Sequence, residues 1–232
     1  MNKQEVKQRI LDIGVVPVIR ASSPHDALMA VEAICAGGVS IAEITMTVPG
    51  AFKAIRELAK QHGGELIVGA GTVLDAATAR RCLDAGAEFL VSPGFDADLV
   101  NFANRENVLV MAGALTPTEV IRAWAAGADF VKVFPCSALG GASYIKALRG
   151  PLPHIPLVPT GGVSLKTAGD FIRAGATALG IGGELVSPAA LDCDGLARII
   201  DLAGRFREIV REARAEYARA VPSHDRQASK ED

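Results

Sequence analysis

Eight short apolar runs recur along the chain, their starts spaced by 19–27 residues: VVPVIR (15–20), IAEITM (41–46), LIVGAGT (66–72), FLVSP (89–93), VLVMAG (108–113), FVKVFP (130–135), LVPTGG (157–162) and ALGIGG (178–183). Each is too short for a helix and nearly continuous in apolar character, as a strand covered on both faces must be. The stretches between them carry helical signals. SPHDALMAVEAICAGG opens with a capping Ser23 and with Pro24 at the first helical position, then stops in glycine. DAATARRCLDAGAEF, TPTEVIRAWAAGADF and SLKTAGDFIRAGATAL repeat one design: a polar cap, an apolar face, and an Ala-Gly-Ala stop that offers a left-handed turn into the next strand.

Strands that alternate with helices imply a parallel sheet. Eight such units fit a single (β/α)8 TIM barrel, a fold of roughly 250 residues. The competing arrangement is an open doubly wound sheet, but no run is followed by the G-x-G-x-x-G turn that marks dinucleotide binding there. The first dozen residues read as an extra helix at the bottom of the barrel, and residues from about 195 to 219 as a long final helix. One barrel domain is therefore expected over 1–219. The remaining 220–232, ending SHDRQASKED, reads as a disordered tail because it has almost nothing apolar to bury.

Composition narrows the function classes. The 232 residues are 50% hydrophobic and 22% charged, with a formal net charge of −2, which gives no basis for a general nucleic-acid or membrane-surface binder. No apolar run is long enough to span a bilayer, and MNKQEVKQRILDIG lacks the apolar core of a signal peptide. Cys35, Cys82, Cys136 and Cys193 are scattered, without a C-x-x-C pair, and His25, His62, His154 and His224 form no cluster. A cytoplasmic protein without a structural zinc or other metal site is the expectation.

In a barrel of this kind the active site is built from the C-terminal strand ends and the loops after them. There the sequence places Arg20, then Glu43, Thr45 and Thr47, Gly71-Thr72, Ser92-Pro93, Gly113, Lys132, Thr160-Gly161-Gly162 and Gly182-Gly183. Side chains alternate along a strand, so Phe130, Lys132 and Phe134 share one face while Val131 and Val133 take the other. With the valines against the helices, Lys132 points into the barrel, and Glu43 does likewise beside Ile41 and Thr45. A buried ion pair with no other role is the bland reading, although such pairs rarely add stability. An amine in dry surroundings is a good nucleophile toward carbonyls, and a carboxylate beside it can shuttle the protons such chemistry needs. The double glycines after strands 7 and 8 suggest an anion site, together with the N–H groups of a helix expected to start near Ser164. Ordinary turn chemistry explains the same glycines.

The segments EITMTVPGA, GAGTVLD, FLVSPGFD, FVKVFP and VPTGGVS, in this order and spacing, resemble the class I 2-keto-3-deoxy-6-phosphogluconate and 4-hydroxy-2-oxoglutarate aldolases over residues of about 10–215. The resemblance implies a metal-independent lyase that needs no cofactor beyond a covalent Schiff base between Lys132 and a keto acid, and a homotrimer. By position it makes Lys132 the Schiff-base lysine and Glu43 the general acid/base. Thr72 would contact the pyruvyl carboxylate, Pro93, Phe134 and Thr160 would line the pocket, and Gly161, Gly162, Gly182 and Gly183 would form the phosphate side. Two positions depart from the family pattern. Thr47 stands where an arginine helps hold the pyruvyl carboxylate, with Arg20 a candidate substitute from the neighbouring strand. Gly183, followed by Glu184, stands where a serine bonds the phosphate.

The substrates implied are 2-keto-3-deoxy-6-phosphogluconate, 4-hydroxy-2-oxoglutarate or both, cleaved to pyruvate plus glyceraldehyde 3-phosphate or glyoxylate. A galactonate-derived or non-phosphorylated keto acid is the nearest alternative. A sugar-phosphate isomerase or epimerase would want paired acid/base residues on opposite faces of its substrate. A non-catalytic subunit would have no need of the Lys, Glu and Thr set. Cys136 reads as a small apolar filler, Trp124 and Met111 as packing residues, and His25 as facing solvent.

Overall fold

The computed structural model describes residues 1–187, 191 and 193–220. Its elements follow in the order α1 (Lys3–Ile13), β1 (Val15–Ile19), α2 (Pro24–Ala36), β2 (Ile41–Thr45), α3 (Ala51–His62), β3 (Ile67–Gly71), α4 (Ala76–Asp84), β4 (Phe89–Val91), α5 (Ala97–Arg105), β5 (Leu109–Ala114), α6 (Pro117–Ala125), β6 (Phe130–Val133), α7 (Ala142–Arg149), β7 (Leu157–Pro159), α8 (Ala168–Arg173), β8 (Leu179–Ile181) and α9 (Cys193–Ala220). All eight strands are parallel, in the spatial order β7-β6-β5-β4-β3-β2-β1-β8. A single bridge between Thr160 and Gly180 joins the two ends and closes the (β/α)8 barrel.

Strand alternation divides the interior into two cores. Val131, Val133, Ala42, Ile44, Val68 and Ala70 face outward and pack with the inner faces of the helices. Their neighbours one residue away, including Val16, Ile41, Ile67, Phe89, Leu109, Met111 and Phe130, fill the cylinder itself. This is the period-two geometry of a strand, with one apolar set given to each side.

The two terminal helices do different work. α1 starts with a capping box between Asn2 and Glu5, and its apolar stripe sets Val6 and Ile10 against the lower layer of the barrel interior. Its C-cap, Gly14, takes φ +69°, a left-handed turn that sends the chain into β1. α9 packs beside α2 and α8 through Ala203, Phe206, Val210 and Ala213. It runs to Ala220, one residue into the expected tail; the rest of that tail lies outside the described residues.

Candidate active site

Lys132 lies in the middle of β6, inside the barrel and 5% exposed. Its register partners are Gly113 of β5 and Val158 of β7. Glu43, 2% exposed, stands at the corresponding level of β2. The two side chains meet across the lumen, Nζ donating to Oε1 at 3.4 Å. They are the two buried charged side chains among the described residues. Leaving either alone in such a place would be strongly unfavourable. The Phe134 ring lies on the same face, its centroid 5.8 Å from Nζ.

Room for these polar groups comes from glycines that face inward. A Cβ on Gly71 would lie 2.0 Å from Glu43 Oε1, and one on Gly180 would lie 2.1 Å from Thr160 Oγ1. The backbone at Pro93 and Gly94 would be 2.2–2.4 Å from a Cβ on Gly113. These are distances no real side chain tolerates, so each glycine is required by a group of the site. Of the three, Gly180 was missed in the sequence. Its signal was present in ALGIGG, where glycines alternate with apolar residues at strand period.

Around Glu43 the hydroxyls form a directed chain. Thr45 Oγ1 donates to the carbonyl of Ile19 at 2.9 Å. A hydroxyl has one proton, so the 2.7 Å contact between Thr45 and Thr47 must be donated by Thr47. Thr47 is exposed and left with acceptor capacity only, which does not suit a carboxylate. Arg20 Nη1 is beside Gly182, 3.1 Å from where a Cβ there would be. Thr72 ends β3 with φ +57°, a left-handed conformation rare for a β-branched residue and typical of strained functional positions. Pro93, half-buried, follows Ser92, whose hydroxyl donates to Gly94 O at 2.7 Å and accepts from Gly113 N at 3.2 Å.

A cavity of about 110 Å³ opens beside this centre, lined by Arg20, Phe134, Thr160, the glycine pairs Gly161-Gly162 and Gly182-Gly183, and Glu184. Thr160 is 5% exposed and its Oγ1 has no hydrogen-bond partner, which in a buried hydroxyl calls for an explanation. Gly161 and Gly162 take φ +89° and +77°, and the Gly162 N–H is without a partner among the described residues. The helix expected to start near Ser164 begins only at Ala168. The N–H of Ser164 is already bonded to Thr167 Oγ1 at 2.9 Å, so it is not available to a ligand.

Cys136 is buried beneath the loop after β6, with its thiol against Gly141 O. Burial pushes the thiol up to about 11, so it is a protonated filler. Trp124 stacks edge-on with His154, Met111 lies inside the barrel, and His25 is exposed. Among the described residues no three His, Cys, Asp or Glu side chains converge as metal ligands, and no helix is long and apolar enough to cross a membrane.

Comparison with known proteins matches this arrangement to one family. Residues 6–202 fit the family model described as "Aldolase: KDPG and KHG aldolase". The chain is 36% identical over 177 residues to the 2-dehydro-3-deoxy-phosphogluconate aldolase of Pseudomonas aeruginosa, covering 76% of this chain and 80% of that one. It is also 36% identical over 198 residues to the KHG/KDPG aldolase of Escherichia coli, covering 84% and 92%. A crystal structure of the KDPG aldolase of Legionella pneumophila, with pyruvate captured as a covalent carbinolamine, superimposes with a TM-score of 0.79 at 28% identity, covering 85% of this chain and 96% of that one.

Proposed function

Because this chain belongs to the KDPG and KHG aldolase family, we propose that it is a class I aldolase cleaving 2-keto-3-deoxy-6-phosphogluconate, 4-hydroxy-2-oxoglutarate or both to pyruvate and an aldehyde. The observation that carries this is the buried Lys132–Glu43 pair at 3.4 Å, with a cavity beside it, walled by Phe134 and Thr160, that holds an unpartnered hydroxyl and the free N–H of Gly162.

The chemistry follows from the placement. Glu43 accepts a proton from the amine, and the freed lone pair of Lys132 Nζ attacks the C2 carbonyl of the keto acid. Glu43 returns protons as the carbinolamine loses water to give a cationic imine. It then takes the proton of the C4 hydroxyl, directly or through a water molecule. The C3–C4 bond breaks, its electron pair moves into the imine to form an enamine, and the aldehyde leaves. Protonation at C3 and hydrolysis release pyruvate and restore the amine. Thr72, at the end of β3, is the residue proposed to meet the pyruvyl carboxylate. Pro93 and Phe134 wall the pocket, and Thr160 offers its hydroxyl to the substrate. Gly161 and Gly162, with Gly182, Gly183 and Arg20, receive the far end of the substrate.

A cytoplasmic homotrimer is the assembly and location that the family resemblance supports, and sedimentation equilibrium tests the trimer. The isomerase reading has less support, since the lumen offers one carboxylate and one amine, not two acid/base groups flanking a substrate. The deciding experiment is borohydride reduction in the presence of pyruvate, followed by peptide mapping. The expected result is an adduct on Lys132 with loss of activity. An unmodified Lys132 peptide with activity retained would overturn the assignment.

A further inference from the structure

The cavity beside the catalytic pair holds two charges of opposite sign that do not meet. Arg20 and Glu184 both line it and both are exposed, yet among the described residues neither makes a hydrogen bond or ion pair. Glu184 also borders the neighbouring cavity, which contains Arg198, and among the described residues no ion pair forms there either. Each group is therefore available to a ligand. Their formal charges cancel, so the remaining attraction for an anion comes from the Gly162 N–H and the orphan hydroxyl of Thr160.

A cup of this composition treats distal anions unequally. A phosphate monoester near neutral pH carries about −1.5 to −2 charges, and its repulsion from a carboxylate scales with that charge. A carboxylate end carries one. The phosphate of 2-keto-3-deoxy-6-phosphogluconate is carried on C6, whereas the far carboxylate of 4-hydroxy-2-oxoglutarate is bonded directly to C4, so the phosphate reaches further toward the cup that Glu184 lines. Arg20 offers a planar fork suited to both ligands, so it does not discriminate between them.

The geometry points to Glu184 as a specificity-determining residue that tilts this chain toward a keto acid whose far end carries a single negative charge, as 4-hydroxy-2-oxoglutarate does, and away from a phosphate dianion. The inference rests on the aldolase reading above and adds the substrate class to it.

The test is the ratio of kcat/KM for 2-keto-3-deoxy-6-phosphogluconate to that for 4-hydroxy-2-oxoglutarate, measured in wild type, Glu184→Gln and Glu184→Asp. The first substitution removes the charge and keeps the shape; the second shortens the chain and keeps the charge. Glu184 is exposed and screened, so the expected rise in the ratio for Glu184→Gln is about three- to tenfold, with Glu184→Asp close to wild type. A ratio unmoved by Glu184→Gln, or moved equally by both variants, overturns the proposal. Exchange of pyruvate methyl protons for deuterium in the wild-type enzyme separates the two levels of inference. Exchange with an unmoved ratio sinks only the role of Glu184, whereas no exchange sinks the aldolase reading itself.

Discussion

The carboxylate of Glu43 occupies the space in which a side chain on Gly71 would stand: a Cβ there would lie 2.0 Å from Oε1 and 2.6 Å from Cγ and Cδ. The proposed general acid/base is thus aimed by an absence of atoms on the adjacent strand. Gly71→Ala is expected to push Glu43 off its line to Lys132 and lower kcat by roughly a hundredfold, in keeping with the effect of small misplacements on catalytic groups. Overpacking of this kind costs about 1–3 kcal/mol, so circular dichroism should still report a folded barrel. Unchanged kcat in a folded Gly71→Ala protein would refute the spatial dependence.

Lys132 and Glu43 should separate when mutated one at a time. Lys132→Ala removes the nucleophile, and with it all borohydride-dependent labelling by pyruvate. Glu43→Gln keeps the nucleophile and loses the proton carrier, a change worth roughly 10²–10⁴ in rate. Mass spectrometry of the trapped protein, beside a lactate-dehydrogenase-coupled assay, distinguishes the two: no adduct in the first, a slowly formed adduct in the second.

Thr47 donates its only proton to Thr45, which donates in turn to the Ile19 carbonyl. Thr47→Val should therefore change kcat/KM by less than about threefold, an exposed threonine with no donor to spare having little to lose. Thr45→Val is different. It removes a buried hydrogen bond to the Ile19 carbonyl, worth about 0.5–1.5 kcal/mol, visible as a lower Tm. A large activity loss in Thr47→Val would mean that the hydroxyl chain reverses when substrate binds.

Burial raises the thiols of Cys35 and Cys136 to about 11 and that of Cys82 to about 12. Below those values each is a neutral thiol, and the thiolate that alkylating agents need accumulates only as pH rises toward them. Native protein treated with iodoacetamide at pH 7.5 should leave these three cysteines unlabelled by peptide mapping and lose no activity. Rapid labelling of Cys136 with inactivation would reopen a role for it.

The barrel was readable because its two periodicities are printed side by side. Val131 and Val133 flank Lys132, and only an inward direction for the lysine lets both valines meet the helices. The same reasoning placed Glu43. The direction of long side chains at strand ends was not readable. Arg20 had the reach to lie toward either end of the site, and only the close approach at Gly182 puts it on the side of the glycine loops. The false helix start at Ser164 has a local cause. The Thr167 hydroxyl bonds back to the Ser164 N–H and to the Gly162 carbonyl, capping a turn in which no helix has begun. Sequence spacing carries no record of such three-residue bargains between side chain and backbone.

The helix that precedes the first strand seals the lower end of the cylinder with Val6 and Ile10. Traffic is thereby confined to one doorway, and the amine sits deeper than the glycine loops and Arg20 at the rim. Whatever is tethered to that amine must be last to depart. The aldehyde leaves first during cleavage, and in synthesis pyruvate must be seated before its partner can enter. That order follows from the proposed covalent tether, and the eleven residues of the helix leave both products the same way out.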